Sequence, residues 1–216
     1  MSPAKFQIVV SRYLEDISWL NFFSGKEEFE ILIYNKGEKL DGIFPKNFKI
    51  IEIENIGRES HTYLHYLIDN YNSLPEKIIF TQGDPRDHVP SNFLDRFEYF
   101  TRSSSSFEYF SSNILDLNFI GENVRESGNL NGRFWENKHS KDSPCVKVPS
   151  LLIENLESKK WIFGTGAIFG VNKNLVESRD KSFYEKCIDI LRSSSDLVNP
   201  PEGHAFERSW YLIFNL

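Results

Sequence analysis

The sequence predicts an α/β protein with a mixed central sheet flanked by helices. Three features carry that prediction: apolar β-rich runs, segments of helical periodicity between them, and turn residues at the joins. In the first 84 residues the order is strand, helix, strand, strand, helix, strand. Such alternation builds a Rossmann-type nucleotide-binding half, whose ligand contacts collect beyond the strand ends.

Phe6 to Val10 is the first strand, and Ser11-Arg12-Tyr13 turns out of it into a helix over Leu14 to Phe23, where Leu14, Ile17, Trp19 and Leu20 recur at helical spacing. Phe29 to Tyr34 is a second strand, closed by the turn residues Asn35-Lys36-Gly37, and Phe48 to Ile53 is a third. From Gly57 a helix runs to Tyr71 with Tyr63, Leu64, Leu67, Ile68 and Tyr71 on one stripe; Ser73-Leu74-Pro75 stops it. Lys77 to Thr81 is the fourth strand. Beyond it the pattern predicts a helix over Phe93 to Phe100 and a polar interruption at Ser103 to Ser106. Gly121 to Pro144, rich in Gly, Asn, Ser and charge, reads as a long functional loop or disorder. Trp161 to Val171 reads as β structure broken by glycines, and helices follow over Lys173 to Arg179, Ser182 to Arg192 and Gly203 to Phe214. The expected organisation is one domain over residues 1–216, with a nucleotide-binding half (1–88) and a less regular second half (89–216).

A net charge of -6 argues against a general nucleic-acid grip, which needs clustered Lys and Arg, and leaves room for a local basic pocket that takes a diphosphate. Cys145 and Cys187 are far apart and lack metal-ligand spacing, as expected of reduced intracellular thiols. Met1 to Lys5 run straight into a strand, and no stretch of 18 apolar residues occurs. The expectation is a soluble, cytoplasmic protein (host cytoplasm if viral) without leader or membrane span.

Ile78 to Asp84 is the segment richest in chemistry. A buried strand that delivers a carboxylate to its carboxyl end presents a metal or nucleotide ligand in open α/β sheets, although Asp84 with Pro85 also suits a surface turn. Arg58, at a helix start after a glycine turn, offers a forked donor to phosphate; alternatively Arg58 and Glu59 form a solvated capping pair. His61 and His65 lie four apart but lack the Glu and third ligand of a zinc motif, so a packed role is expected. Gly164-X-Gly166 lacks the third glycine of a dinucleotide fingerprint. Its glycines let the backbone approach a sugar, with Trp161 and Phe169 as an apolar wall or as core.

Several blocks together, Val10-Ser11-Arg12-Tyr13, Tyr34-Asn35-Lys36-Gly37, Gly57-Arg58-Glu59-Ser60-His61-Thr62-Tyr63-Leu64, Gln82-Gly83-Asp84, Gly166-Ala167-Ile168-Phe169 and Glu207-Arg208-Ser209-Trp210, resemble the signature of a poorly characterised family of fungi and large viruses. Over nearly its whole length the chain also resembles a GT-A-type glycosyltransferase domain, like that at the amino end of a chlorella-virus protein. The resemblance implies a single GT-A-like domain with a nucleotide-sugar-binding half (1–88) and an acceptor-side half (89–216), and a glycosyltransferase that uses a nucleoside diphosphate sugar, a UDP-sugar above all. It also implies Mn²⁺ or Mg²⁺ at an Asp-X-Asp motif and a glycan or glycoprotein acceptor. Gln82-Gly83-Asp84 stands at the motif's place, with an amide for one carboxylate; amide oxygen still suits a hard cation.

On the same resemblance, Asp84 ligates the metal and His204 completes it, Ser11, Arg12 and Tyr13 meet the nucleobase, ribose and phosphates, and Asn35 and Lys36 contact ribose or base. Glu207 takes the acceptor proton in an inverting transfer. Tyr13 alternatively covers the sheet edge, Asn35 and Lys36 simply form a turn, and Glu207-Arg208 is a helix-surface pair; a retaining mechanism gives Glu207 another role. Two other functions stay open. One is a non-catalytic nucleotide-sugar or carbohydrate-binding domain that lost a metal carboxylate. The other is a metal-dependent hydrolase built on Asp84, Asp87 and His88.

Overall fold

Parallel strands covered on both faces are apolar in consecutive positions, and Phe6–Arg12 (β1) and Phe29–Asn35 (β2) have such runs at Ile8-Val9-Val10 and Ile31-Leu32-Ile33. In the computed structural model, which describes residues 5–215, β1 lies between β2 and Lys77–Gln82 (β4), with Phe48–Glu52 (β3) outside β2. These four run parallel in the order β3-β2-β1-β4. Phe169–Asn172 (β10) and Phe107–Tyr109 (β5) extend the sheet beyond β4, and β10 is antiparallel to both neighbours. The central sheet is therefore mixed, as expected. Met1 to Ala4, on which the expectation about a leader rested, lie outside the described residues.

From β1 the chain builds β2 and β3 on one side, then returns through Arg58–Asn70 (α1) to lay β4 on the other. The strand order reverses between β1 and β4, and the reversal opens a crevice at their carboxyl ends. Side chains alternate across the sheet. Ile8, Val10, Ile33 and Ile79 face Trp19, Phe23 and the helix Phe93–Arg102 (α2), whereas Val9, Leu32 and Phe80 face α1 and the carboxyl-terminal helices.

Gly121 to Pro144 corrects the loop expectation. Ile114–Ile120 (β6), Asn123–Leu130 (β7) and Arg133–His139 (β8) form an antiparallel meander, joined by Lys160–Gly164 (β9) in a second sheet of order β8-β7-β6-β9. Both turns are two residues long, since Ile120 pairs with Asn123 and Leu130 with Arg133. Asn131 and Gly132 both have positive φ, 52° and 81°, the type I′ geometry that suits the twist of a hairpin. The polar composition reflects a sheet whose outer strand β8 is largely exposed. After β8 comes an unforeseen helix, Pro144–Leu152 (α3), capped by Ser143, whose Oγ accepts from the Cys145 amide. Cys145 and Cys187 are unpaired and buried.

Trp161 to Val171 divides between the sheets, β9 in the second and β10 in the first, so residue 88 is no boundary of the central sheet. The helix expected over Leu14 to Phe23 shrinks to a 3₁₀ turn, Ser18–Phe23. Its missing half is explained by competing bonds. Asp16 accepts from the Ser18 amide and hydroxyl, and Arg12 takes the carbonyls of Tyr13 and Glu15. Lys173–Glu177 (α4) and Lys181–Arg192 (α5) appear as expected, but the last helix splits into Pro201–Glu207 (α6) and Trp210–Asn215 (α7). At the break the Arg208 carbonyl accepts from Trp161 Nε1, and Ser209 Oγ bonds back to the Ala205 carbonyl.

Arg208 also ties α6 to the second sheet. Its Nε and Nη2 donate to Glu126 at 2.7 and 3.2 Å, and His139 Nε2 meets the same carboxylate at 2.6 Å. Burial alone would raise the Glu126 pKa; His139 and Arg208 hold it below the ordinary value. Contacts with Cys145 and Glu126 push His139 up to about 9. Replacing Glu126 by alanine takes the carboxylate from His139 and leaves Arg208 with only the more distant Glu207 at 3.5 Å, and the expected loss is about 3–5 kcal/mol of stability. A urea midpoint that does not move in the Glu126→Ala protein would show that this triad is no anchor.

Candidate functional site

The crevice between β1 and β4 holds a polar cavity of about 200 Å³. Its wall contains six residues singled out in the sequence, Ser11, Arg12, Tyr13, Lys36, Arg58 and Gln82, and three that were not taken as ligand contacts, Glu15, Asn55 and Glu59. β1 continues through Ser11 and Arg12, which pair with Tyr34 and Asn35 of β2, so the expected turn begins two residues later.

Arg12 is buried and braces the rim. Its Nη1 donates to Asn35 Oδ1 at 2.6 Å and to the Tyr13 carbonyl, and its Nε to the Glu15 carbonyl. Asn35 is fully buried, and its amide donates to Glu52 and to the carbonyls of Gly37 and Glu38. Both shape the loops after β1 and β2, and Asn35 offers a ligand nothing. Tyr13 is 47% exposed at the mouth. Ser11 Oγ shares a hydrogen bond of 2.9 Å with Thr62 Oγ1 of α1, which closes the floor.

Lys36 is also buried, and Nζ donates to the carbonyls of Ile56 and Arg58. Burial brings its pKa down to about 8 against the opposing pull of Glu59. Gly57 and Arg58 both have positive φ, 66° and 53°, and for arginine that is a strained backbone which turns its carbonyl toward Lys36. Arg58 Nη1 reaches Asn199 Oδ1 at 3.2 Å and His204 Nε2 at 2.8 Å. Since guanidinium only donates, His204 Nε2 accepts and its proton sits on Nδ1, 3.9 Å from Glu207 Oε2.

Glu59 is buried, so the solvated-pair reading of Arg58 and Glu59 is corrected; only 3.6 Å separates Arg58 Nε from its carboxylate. Burial and the charge of Glu207 raise the Glu59 pKa. For Glu207 burial works upward too, but His204, Arg208, the Gly166 amide and Arg58 outweigh it and keep the carboxylate ionised. Two neighbouring carboxyls pushed in opposite directions are the usual arrangement of an acid and a base.

Gly166 connects this pair to the strand end. Its amide donates to Glu207 Oε1 at 2.7 Å, and its carbonyl accepts from Gln82 Nε2 at 2.8 Å. Its φ is +86°, and an added Cβ would stand 2.7 Å from the His88 ring, so only glycine serves. Trp161 and Phe169 are both buried in the core, Phe169 against Phe80 and Trp210, and neither walls the cleft. Gly83 holds the strand end through its carbonyl, which accepts from Trp19 Nε1.

Asp84 does not point a free carboxylate at the cleft. Arg86 forks onto it, Nε to Oδ1 at 2.7 Å and Nη2 to Oδ2 at 2.6 Å, with the Arg86 amide adding a third bond. Those bonds lower the Asp84 pKa. Arg58 occupies the acceptor nitrogen of His204, and among the described residues no three His, Cys, Asp or Glu side chains gather into a ligand set. Asp84 and His204 as arranged do not fit the Mn²⁺ or Mg²⁺ expected there. The cluster Asp84, Asp87 and His88 fails as a hydrolase centre for the same reason.

A family model described as "Protein of unknown function (DUF3431)" matches residues 8–104, the span from β1 through α2 that includes the cleft wall. No curated protein matches. Among solved structures the chain is similar to a CMP:2-keto-3-deoxy-manno-octonic acid synthetase complexed with CTP, at 13% identity over 87% of this chain and 83% of that one. The TM-score is 0.35, a likeness at which neither fold detail nor function carries across. Among the described residues no helix is long and apolar enough to cross a membrane.

Behind the cleft, His61 is buried in α1 with Nδ1 unpartnered and Nε2 3.5 Å from Arg192. Burial first, then Lys36, Arg192 and His65, push its pKa down to about 3. The unfolded chain takes up this proton below about 6.5 and the folded chain does not, so stability present above that value drains away as pH falls toward 3. The expected slope is up to about 1.4 kcal/mol per pH unit. Chemical denaturation of the protein and of His61→Gln between pH 7 and 4 checks it: the gap between the two should change with pH, and parallel curves would remove His61 as the cause.

Proposed function

We propose that the protein is a glycosyltransferase that moves a sugar from a nucleoside diphosphate donor, a UDP-sugar by class, to a hydroxyl of a glycan acceptor. One observation carries the reading. At the strand reversal, a cleft walled by Lys36 and Arg58 connects through Gln82 and Gly166 to the buried, ionised carboxylate of Glu207. Ligands of open α/β sheets collect at that reversal, and the antiparallel β10 beside β4 agrees with the mixed sheet of a GT-A-like domain.

In this reading the acceptor hydroxyl passes its proton to Glu207 as its oxygen bonds to the anomeric carbon. The bond from that carbon to the phosphate oxygen breaks, and its electron pair leaves with the nucleoside diphosphate. Charge grows on the leaving oxygen, so cations fixed beside it stabilise the transition state more than the bound donor. Glu207 is a weak base in isolation, but a carboxylate placed against the hydroxyl supplies general-base catalysis of about 10²–10⁴-fold. The Arg86 fork on Asp84, together with Gln82 where the motif has a carboxylate, favours a binding module as the second reading.

Glu207→Gln keeps the hydrogen-bonding shape and removes the base. Turnover of a UDP-sugar with glycan acceptors should fall about 10²–10⁴-fold while calorimetric donor affinity holds. Equal turnover in the variant would take the base role from Glu207, and donor binding without turnover on any acceptor by the unmutated protein would leave the binding module.

A further inference from the structure

The cleft wall carries three cations, Arg12, Lys36 and Arg58, against two carboxylates, Glu15 and Glu59. Lys36 Nζ has three N–H bonds and gives two to backbone carbonyls, of Ile56 and Arg58; the third is left at the cavity wall. Arg58 places Nη1 on Asn199 and His204, and Nη2 has no partner among the described residues. These two cations are not mobile surface charges. Lys36 is bonded to the Arg58 backbone, and Arg58 is fixed by the positive-φ turn at the start of α1, whose first-turn amides add donors of the same sign.

The residues expected to hold a divalent ion are committed elsewhere. Both Asp84 oxygens accept from Arg86, and His204 Nε2 accepts from Arg58. An ion brought to either position would have to evict a guanidinium, Arg86 from Asp84 or Arg58 from His204.

We infer that the diphosphate of the ligand is held in this cleft by Arg58 and Lys36 directly, without a divalent cation. This rests on reading the cleft as a nucleoside-diphosphate site, and the two are separable. The phosphate oxygens accept from Arg58 Nη2 and the third Lys36 N–H, and Arg58 does for the leaving group what a metal does in an Asp-X-Asp enzyme.

Calorimetry with UDP, in buffer with EDTA and in buffer with Mn²⁺, tests the inference on the whole chain. The expected dissociation constants agree within about twofold, and Arg58→Gly, which suits the positive φ while removing the guanidinium, weakens UDP by about tenfold or more. UDP that binds in Mn²⁺ but not in EDTA would overturn the inference and leave the nucleotide site standing. UDP bound equally tightly by a folded Arg58→Gly protein would also overturn it. If UDP, CDP, ADP and GDP all fail to bind in both buffers, the nucleotide reading of the cleft goes, and the inference with it. Should Arg58→Gly fail to fold, the EDTA arm decides alone.

Discussion

A parallel strand has two faces to cover, and in this chain the second cover comes from far away in sequence. β1 and β4 are apolar on both sides. One side is closed locally by the 3₁₀ turn at Ser18–Phe23 and by α2, the other by α1 with α6 and α7. Trp210 lies against Tyr63 of α1 at 5.8 Å and against Phe169 of β10 at 5.4 Å. Such aromatic contacts bury large areas and prefer tilted geometry, so they fix the position of α7 and of the turn before it. Because Glu207 and His204 stand just before that turn, covering the sheet is what brings them beside Arg58 and the strand ends. The site follows from the hydrophobic demand of the sheet.

The same dependence explains what could be read in the sequence. β1 to β4 and α1 were legible because their periodicities are local, and so were Ser11, Tyr13, Lys36, Arg58 and Gln82 as residues at element ends. The meander β6-β7-β8 was not, since β7 and β8 lack an apolar stripe, although Leu115, Leu117 and Phe119 alternate along β6; Asn131-Gly132, a strong hairpin signal, marked it all the same. Arg12 and Asn35 looked like ligand contacts because they follow strands, but they bond each other and the neighbouring backbone. No sequence rule states that the Arg86 fork would close on Asp84 or that Glu59 would be buried. Those outcomes depend on three-dimensional neighbours, the least local of all signals.

The turn from Thr165 to Ile168 has the most consequences per residue. It carries the chain from β9 in the second sheet to β10 in the first, and both Gly166 and Ala167 take positive φ to do so. For alanine that conformation is a strain of about 1 kcal/mol, tolerated only where surrounding structure over-determines it. Here Gly166 is fixed by Gln82 on one side and by Glu207 on the other, so a single residue sets the distance between strand end and carboxylate. A shift of one sheet against the other would be felt at Glu207 first. The Glu126–Arg208–His139 triad opposes that shift, since it bonds the residue after Glu207 to β7 and β8.

An anion site in a chain of net charge -6 is no contradiction. At physiological salt, charges more than about 8 Å apart across the surface are largely screened, so the nearest fixed charges decide what a cleft attracts. The cavity wall holds three cations, Arg12, Lys36 and Arg58, against two carboxylates, Glu15 and Glu59, and backbone carbonyls and a neighbouring ring hold the cations Lys36 and Arg58 in place. Desolvating them is costly, as the depressed Lys36 pKa records, and the backbone carbonyls that accept from Nζ offset only part of that cost. A polyanion that enters the cleft replaces the lost hydration with charge-assisted hydrogen bonds, whereas a neutral ligand does not. On the proposed nucleotide reading, the cleft discriminates by charge before it discriminates by shape, and the unmet hydration of Lys36 and Arg58 is the source of that preference.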